Sequence, residues 1–317
     1  MTRPILTITL NPTVDLATRA DTVTPGPKLR CNVPLIQAGG GGVNVARTIV
    51  SLGGRCAVFM AVGGPTGDHL HALMRRIEGL VLHCFEIEQG ETRQSMAVTD
   101  CASGAQYRFV MPGPRWLPEE AARAIERLRQ LAPARGLVVL SGSQPPGLDA
   151  GFAGQLAGAL PTTCQLVVDT SGAPLAHLVA DPGPGIALLR MDHLEAEDLA
   201  GRPLPGPAES ADFAASLVAR GVARMVVLAH GKEGSVLVSA YSQLFCAAPP
   251  VPVVSKIGAG DSFVGAMVHA MARGAPPEAC LRAGTAAACA TVMSGPSDLC
   301  QRSDVDSLTG QCEVQTL

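Results

Sequence analysis

Short apolar runs alternate with longer stretches of helical periodicity along most of the 317 residues. Residues 5–10 (ILTITL) read as a buried strand, and 43–54 (VNVARTIVSLGG) as a helix ended by glycine. A second strand is expected at 56–63 (CAVFMAVG), followed by a helix through DHLHALMRRI. Further strands are expected at 136–143, 164–172, 185–192 and 223–231, with helical segments between them. These runs are continuously apolar rather than alternating, as strands buried on both faces are. They predict an α/β fold with a mostly parallel central sheet covered by helices. Several of the strands run into loops rich in Gly, Ser and Asp, where open α/β sheets bind ligands.

Two segments break this rhythm. Residues 13–37 and 92–112 mix polar and apolar positions as β-hairpins do, and predict a small sheet projecting as a lid. Both are expected to be inserts in a single domain spanning 1–317. The last 15 or so residues carry too little pattern for any element to be assigned.

Composition narrows the function classes. Hydrophobic residues make up 47% and charged residues 16%, which implies a compact globular protein. A net charge of −3 without a long basic run argues against nucleic acid as a partner. No apolar run approaches the roughly 18 residues of a membrane span. The start MTRPILTITL lacks a signal-peptide layout, so no membrane partner and a cytoplasmic location are expected. Ten cysteines without a CxxC pair and seven dispersed histidines suggest idle thiols rather than a metal cluster.

Three constellations carry chemistry. Four glycines, Gly39 to Gly42, precede Asn44 and an apolar helix. Such glycines allow backbone amides to approach a ligand, and Asn44 offers both a donor and an acceptor to a sugar hydroxyl pair. The other reading is a tight structural turn. In VSKIGAGDSF, Gly258, Ala259 and Gly260 precede Asp261 at the start of an apolar helix. There, free amides could hold a phosphoryl group while Asp261 takes a proton. The alternative is an ordinary N-cap aspartate. The third group is Asp15 after the first strand, Lys28 and Arg30 in the first lid segment, and Arg93 and Arg108 in the second. Any one of these charges suits a solvated surface, and together they suit a sugar phosphate. The chain contains no GxxxxGK[ST], which excludes a P-loop enzyme.

The motifs TITLNPTVD, PGPKLRC, GGGGVNVAR, GAQYRFVMPG, SGSQPPG, DTSG and GAGDS run nearly end to end. Together they resemble the ribokinase-like (PfkB) carbohydrate kinases. The resemblance implies a three-layer α/β/α fold, a β-lid that makes a homodimer, and transfer of the ATP γ-phosphoryl group to a sugar hydroxyl with Mg²⁺. The four-glycine form favours the branch acting on fructose 6-phosphate over those acting on fructose 1-phosphate or tagatose 6-phosphate. A sugar-phosphate-binding protein with weakened kinase activity is the alternative from another class. By matching positions, Asp261 would be the general base and Gly258, Ala259 and Gly260 the anion hole. Asp15, Gly39, Gly40 and Asn44 would bind sugar hydroxyls, with Lys28, Arg93, Arg108 and Ser143 around the substrate phosphate or the lid contact.

The nucleotide half departs from the family. Arg190-Met191-Asp192-His193-Leu194-Glu195 stands for Lys-Pro-Asn-x-x-Glu, which makes Arg190 and Asp192 nucleotide contacts and Glu195 the organiser of magnesium. Asp192 adds a negative charge where phosphates are expected to lie. The loop with Gly231 and Gly234 keeps its glycines but loses a hydroxyl. Lys256 replaces a threonine beside the catalytic loop, and Pro296 and Asp298 alter a second loop. The expectation is that Lys256, paired with Asp298, takes the place of the potassium ion that many relatives bind.

Overall fold

The computed structural model describes residues 2–295 and 298–317. In chain order the first strands are β1 (Ile5–Thr9), β2 (Thr13–Ala20), β3 (Leu35–Gly39), β4 (Cys56–Val62), β5 (Leu80–Glu86), β6 (Arg93–Asp100) and β7 (Gln106–Val110). The second half adds β8 (Leu137–Ser141), β9 (Gln165–Asp169), β10 (Ile186–Asp192), β11 (Met225–Ala229), β12 (Gly234–Ser239), β13 (Gln243–Ala247) and β14 (Val314–Thr316). The helices are α1 (Gly41–Ser51), α2 (Gly64–Met74), α3 (Pro118–Leu131), α4 (Phe152–Ala159) and α5 (Gly172–Ala180). They continue with α6 (His193–Ala200), α7 (Pro207–Ala219), α8 (Ala259–Ala272), α9 (Pro277–Val292) and α10 (Arg302–Thr309).

Ten strands form one sheet in the order β14-β13-β12-β11-β10-β9-β8-β1-β4-β5. From β5 to β11 every neighbouring pair is parallel, and β12, β13 and β14 extend the sheet antiparallel. Alternate residues of each strand enter opposite cores. In β8, Leu137 and Val139 pack on the side of α1, α8 and α9, while Val138 and Leu140 pack on the side of α3 to α7. This two-sided burial explains the continuous apolar runs and gives three layers, helix, sheet and helix. No helix among the described residues is long and apolar enough to cross a membrane.

The remaining four strands make a separate sheet, ordered β3-β2-β6-β7. Its strands lie within the two segments that break the α/β rhythm, except that β3 runs two residues past the first. It is mixed rather than purely hairpin-built: β2 pairs β6 in parallel, and β3 and β7 flank them antiparallel. Only Leu10 to Pro12 separate β1 from β2, so this sheet springs from the carboxyl end of β1. The unassigned C-terminus contains α10 and β14, and β14 pairs β13 through residues 314–316. Its signal is weak because β14 is three residues long with mostly exposed positions.

Helices α1 and α8 pack side by side beneath the carboxyl ends of the parallel strands. A Cβ added at Gly265 of α8 would lie 2.7 Å from Thr48 Cβ and 2.9 Å from the Val45 carbonyl oxygen of α1. Alanine gains about 1 kcal/mol over glycine in helix propensity. Forcing two helix backbones apart costs typically ~1–3 kcal/mol, and here a backbone oxygen cannot step aside. Gly265→Ala is therefore expected to lower stability by up to roughly 2 kcal/mol, read as a lower urea midpoint; an unchanged or higher midpoint would show that the helices are less tightly paired.

Candidate active site

Because the strands are parallel, the ends of β1, β8, β9 and β10 open at one edge, and the N-termini of α1 and α8 meet there. Gly40 caps α1 with φ of 106°, a conformation closed to most other residues. A Cβ at Gly41 would lie 2.5 Å from the Gly142 nitrogen in the loop after β8. That part of the glycine run thus serves backbone packing. Gly39 lies against the Asp15 carboxylate, and Gly40 lines the cleft while Thr9 and Pro12 close off the space a side chain would need.

The cleft holds about 200 Å³ between the body and the projecting sheet. Its floor is Gly258 and Asp261 with Asn44 and Gly40, and its roof includes Asp15, Arg93, Ser95 and Arg108. The strand register explains the roof. Asp15 is directly opposite Ser95 and Gln37, Thr13 opposite Arg93, and Ala97 opposite Arg108, so these side chains share one face. Burial raises the Asp15 carboxyl, against the Thr13 hydrogen bond and the nearby Arg93, Arg47 and Arg108 charges. Burial likewise lowers Arg93, partly offset by Asp15.

Asp261 sits in the first turn of α8 behind Gly258, whose φ is 77°. Its Oδ2 accepts a hydrogen bond from Asn44 Nδ2 at 2.9 Å. Asn44 is itself oriented: Arg47 donates to Asn44 Oδ1 at 3.1 Å, to the Ala38 carbonyl at 2.8 Å and to Gln37 Oε1 at 2.9 Å. Burial first, and then the Asp169 and Asp15 charges, push the Asp261 carboxyl up to about 7, against Asn44 and Arg190. A carboxylate in that range is a far better base at neutral pH than the ordinary aspartate near ~3.9. Beside it, Ala259 N reaches Lys256 O only at 3.5 Å, and Ser262 N closes onto Gly258 O at 2.8 Å. The first-turn amides between them form the start of a helix dipole, a place for negative oxygens.

Arg190 completes this end. Its Nη1 donates to Asp169 Oδ1 at 3.2 Å, and its Nε has no partner among the described residues. A Cβ on Gly260 would lie 3.0 Å from Nη1, so glycine there lets the guanidinium lie against the loop. Burial pulls the guanidinium pKa down, and Asp169, Glu195 and Asp192 more than restore it. Asp192 is the N-cap of α6: its Oδ1 accepts from Glu195 N at 2.9 Å, while Glu195 Oε2 accepts from Asp192 N at 2.8 Å. This reciprocal capping box gives the Asn-to-Asp departure a structural use. Burial, with the neighbouring Asp192 and Asp169 charges, raises the Glu195 carboxyl.

Other expected residues lie apart from the cleft. Lys28 is exposed in the connection between β2 and β3. Ser143 accepts from Asn11 Nδ2 at 3.3 Å, tying the loop after β1 to the loop after β8. Gly231 is exposed at the start of a short 3-10 turn, whereas Gly234 is buried against the Cys246 carbonyl of β13. The expected Lys256–Asp298 pair does not form: Lys256 is exposed, and no ion pair within 4 Å joins the two among the described residues. Asp298 instead accepts from Gln37 Nε2 at 3.5 Å, and its charge supports Arg47. Pro296 lies outside the described residues. Asp169 and Arg47 were not among the expected site residues, although DTSG and NVAR contain them. Their roles depend on partners 21 and 10 residues away, Arg190 and Gln37.

A three-layer α/β body with a lid, an aspartate at a glycine-rich helix N-terminus and cations on both sides defines a phosphoryl-transfer scaffold. The model of the pfkB family carbohydrate kinases matches residues 8–302, and the chain belongs to that family. ATP-dependent 6-phosphofructokinase isozyme 2 of Escherichia coli K12 is 36% identical over 305 residues, 96% of this chain and 97% of the relative. The isozyme 2 of Mycobacterium tuberculosis H37Rv is 34% identical over 303 residues, 95% and 88% of the two chains. The crystal structure of phosphofructokinase-2 from E. coli with potassium superposes with a TM-score of 0.91 at 35% identity, covering 98% of this chain and 99% of that one. The same E. coli protein in complex with fructose 6-phosphate gives 0.89, with the same identity and coverage.

The raised Asp261 carboxyl links stability to pH. The folded state holds this proton up to about pH 7, whereas an unfolded aspartate loses it near ~3.8, so the stability it contributes in acid is lost as pH rises toward and through 7. Asp261→Asn removes the buried charge. It is expected to melt higher than the parent at pH 8, by roughly 1–3 kcal/mol, with the gap shrinking steadily toward pH 5. Equal melting temperatures at both pH values would show that the carboxyl is not held up.

Proposed function

We propose that this chain is an ATP-dependent 6-phosphofructokinase, moving the γ-phosphoryl group of ATP to the 1-hydroxyl of fructose 6-phosphate. The observation that carries the reading is the position of Asp261. It lies between two anion-favouring surfaces, the Arg93 and Arg108 side of the lid and the α8 amides with Arg190. A sugar phosphate held by the first surface presents a hydroxyl to the carboxylate, and the second receives the phosphoryl group in line. The names of the E. coli and M. tuberculosis relatives support the same acceptor.

In this mechanism Asn44, locked by Arg47, holds the Asp261 carboxylate while leaving Oδ1 for the substrate hydroxyl. Asp15 borders the sugar on the lid side, and Gly40 on the side of the body. Proton uptake by Asp261 accompanies phosphoryl transfer, and the α8 amides and Arg190 stabilise charge on the transferred oxygens.

The donor set suits a magnesium ion carried in with the nucleotide. Asp169 is held by Arg190, Asp192 caps α6, and Glu195 keeps Oε1 without a partner among the described residues. No group of three or more His, Cys, Asp or Glu there forms a closed cage. Mg²⁺ ordinarily takes one or two carboxylates plus waters and phosphates, so Glu195 would hold it, by way of water, at the strand ends from Arg190 to Gly234. When bound, the ion neutralises phosphate charge.

The lid supports a homodimer. Register places Ile36, Leu16, Met96 and Phe109 in one row across all four strands, on the face opposite Asp15. Ile36, Met96 and Phe109 are exposed, as is the nearby Val33. A contiguous apolar row at a sheet surface is what a partner copy would cover.

In a coupled assay with fructose 6-phosphate, tagatose 6-phosphate and fructose 1-phosphate, the first is expected to give the highest kcat/KM with MgATP; a preference for either other sugar would overturn the acceptor. Asp261→Asn should lower kcat by about 10²–10⁴-fold. The parent kcat/KM should rise with pH through about 7 as the carboxyl ionises. Phe109→Asp with Ile36→Asp should convert a dimer to a monomer in sedimentation, and a parent that sediments as a monomer would remove the lid from the interface.

A further inference from the structure

A second cleft lies at the opposite end of the sheet, where β1, β4 and β5 begin. It holds about 900 Å³, within the range of small-molecule sites, and shares no lining residue with the catalytic cleft. Helices α1 and α8 run between the two. Their N-termini carry Asn44 and Asp261, and residues just at or past their C-termini, Gly53, Gly54, His269 and Arg273, line the second cleft.

The charge of this cleft is one-sided. Arg3, Arg55, Arg273 and Arg302 line it together with His269, and among the described residues no Asp or Glu does, in a chain where acids outnumber Lys and Arg 27 to 24. The groups are close: a Cβ at Gly53 would lie 3.1 Å from Arg302 Nη1, and one at Gly54 would lie 2.7 Å from His269 Nδ1. Burial, then the charges of Arg273 and Arg302, hold His269 below its ordinary pKa.

A structural role accounts for one of these arginines. Arg3 is spent on the Met271 carbonyl at 2.7 Å and Gln165 Oε1 at 2.6 Å, pinning the end of α8. Among the described residues Arg302 reaches only the exposed Asp306, at 3.6 Å. Arg55 and Arg273 have no carboxylate within 4 Å among the described residues. Arg55, Arg273 and Arg302, all exposed, therefore line one cleft with a single long ion pair, Arg302 to Asp306, between them, and like charges so placed repel until an anion completes them. Beside them Val81, 59% exposed, and the half-buried Leu131 and Pro133 form an apolar wall.

We propose that this cleft is a second anion site, taking a small molecule with clustered phosphates held by Arg55, Arg273 and Arg302. Guanidinium forks match phosphate oxygens in pairs, and three forks exceed what one phosphate needs. The clustered phosphates could belong to a nucleoside polyphosphate or to a sugar bisphosphate, which share this chemistry.

Calorimetric titration of the full chain with inorganic tripolyphosphate tests the site. Arg55→Glu with Arg273→Glu is expected to weaken binding by at least about tenfold, ~1.4 kcal/mol, while Arg93→Glu in the catalytic cleft leaves it within about twofold. Arg302→Ala, at an exposed position, should weaken binding in the same direction and stands in should the double variant fail to fold. Absence of binding to the parent, or loss through Arg93→Glu instead, overturns the proposal. ATP and fructose 1,6-bisphosphate titrated into the same variants identify the source. Whichever follows the tripolyphosphate pattern is the ligand class, and if neither does the proposal falls.

Discussion

A carboxylate buried at the start of a helix is costly, and the site is built around making that cost useful. Asp261 lies where α8 begins, close to the Asp169 and Asp15 charges, and one hydrogen bond from Asn44 on α1 holds it in place. Neither helix can shift without breaking that bond. Small residues make the close approach possible: Gly265 lets α1 and α8 touch, and Gly41 lets α1 reach the loop after β8. The raised carboxyl is the chemical return, because a group titrating near neutrality can both take and release a proton there.

Connectivity places the second half of the site. The chain leaves the main sheet at the end of β1 and enters the lid within three residues, so the lid hangs over the strand ends by necessity. Strand alternation then divides its residues. One face turns Asp15, Arg93 and Arg108 toward Asp261, and the other carries the apolar row of Ile36, Met96 and Phe109. The two faces share one set of strands, so a change on either face is felt on the other.

Much of the fold was legible because two-sided burial writes itself into continuous apolar runs. Strands β1, β4, β8, β9, β10 and β11 all fall within segments read that way, and the two rhythm-breaking segments contain the lid strands but for the last two residues of β3. The short edge strand β14 was not legible, since pairing with β13 rather than its own composition makes it a strand. In the site, Asp261, Asn44, Asp15, Arg93 and Arg108 were named from sequence and meet around one cleft. Lys28 and Ser143, from motifs of their own, do not line that cleft. Asp192 looked like an electrostatic anomaly and serves as a helix cap, and Lys256 faces solvent without Asp298.

The sequence by itself determined what depends on neighbours along the chain: layers from burial periodicity, helix starts from glycine and aspartate, and the family from motifs in order. Tertiary structure alone decided what depends on pairs far apart. Asn44 meets Asp261 across 217 positions, and Asp169 reaches Arg190 from a neighbouring strand. The rise of the Asp261 carboxyl, and the placing of Arg55, Arg273 and Arg302 along one cleft at the far end, exist only once the chain has closed on itself. Electrostatic energies scale with distance in space and with loss of water, and neither quantity is defined until the fold is made.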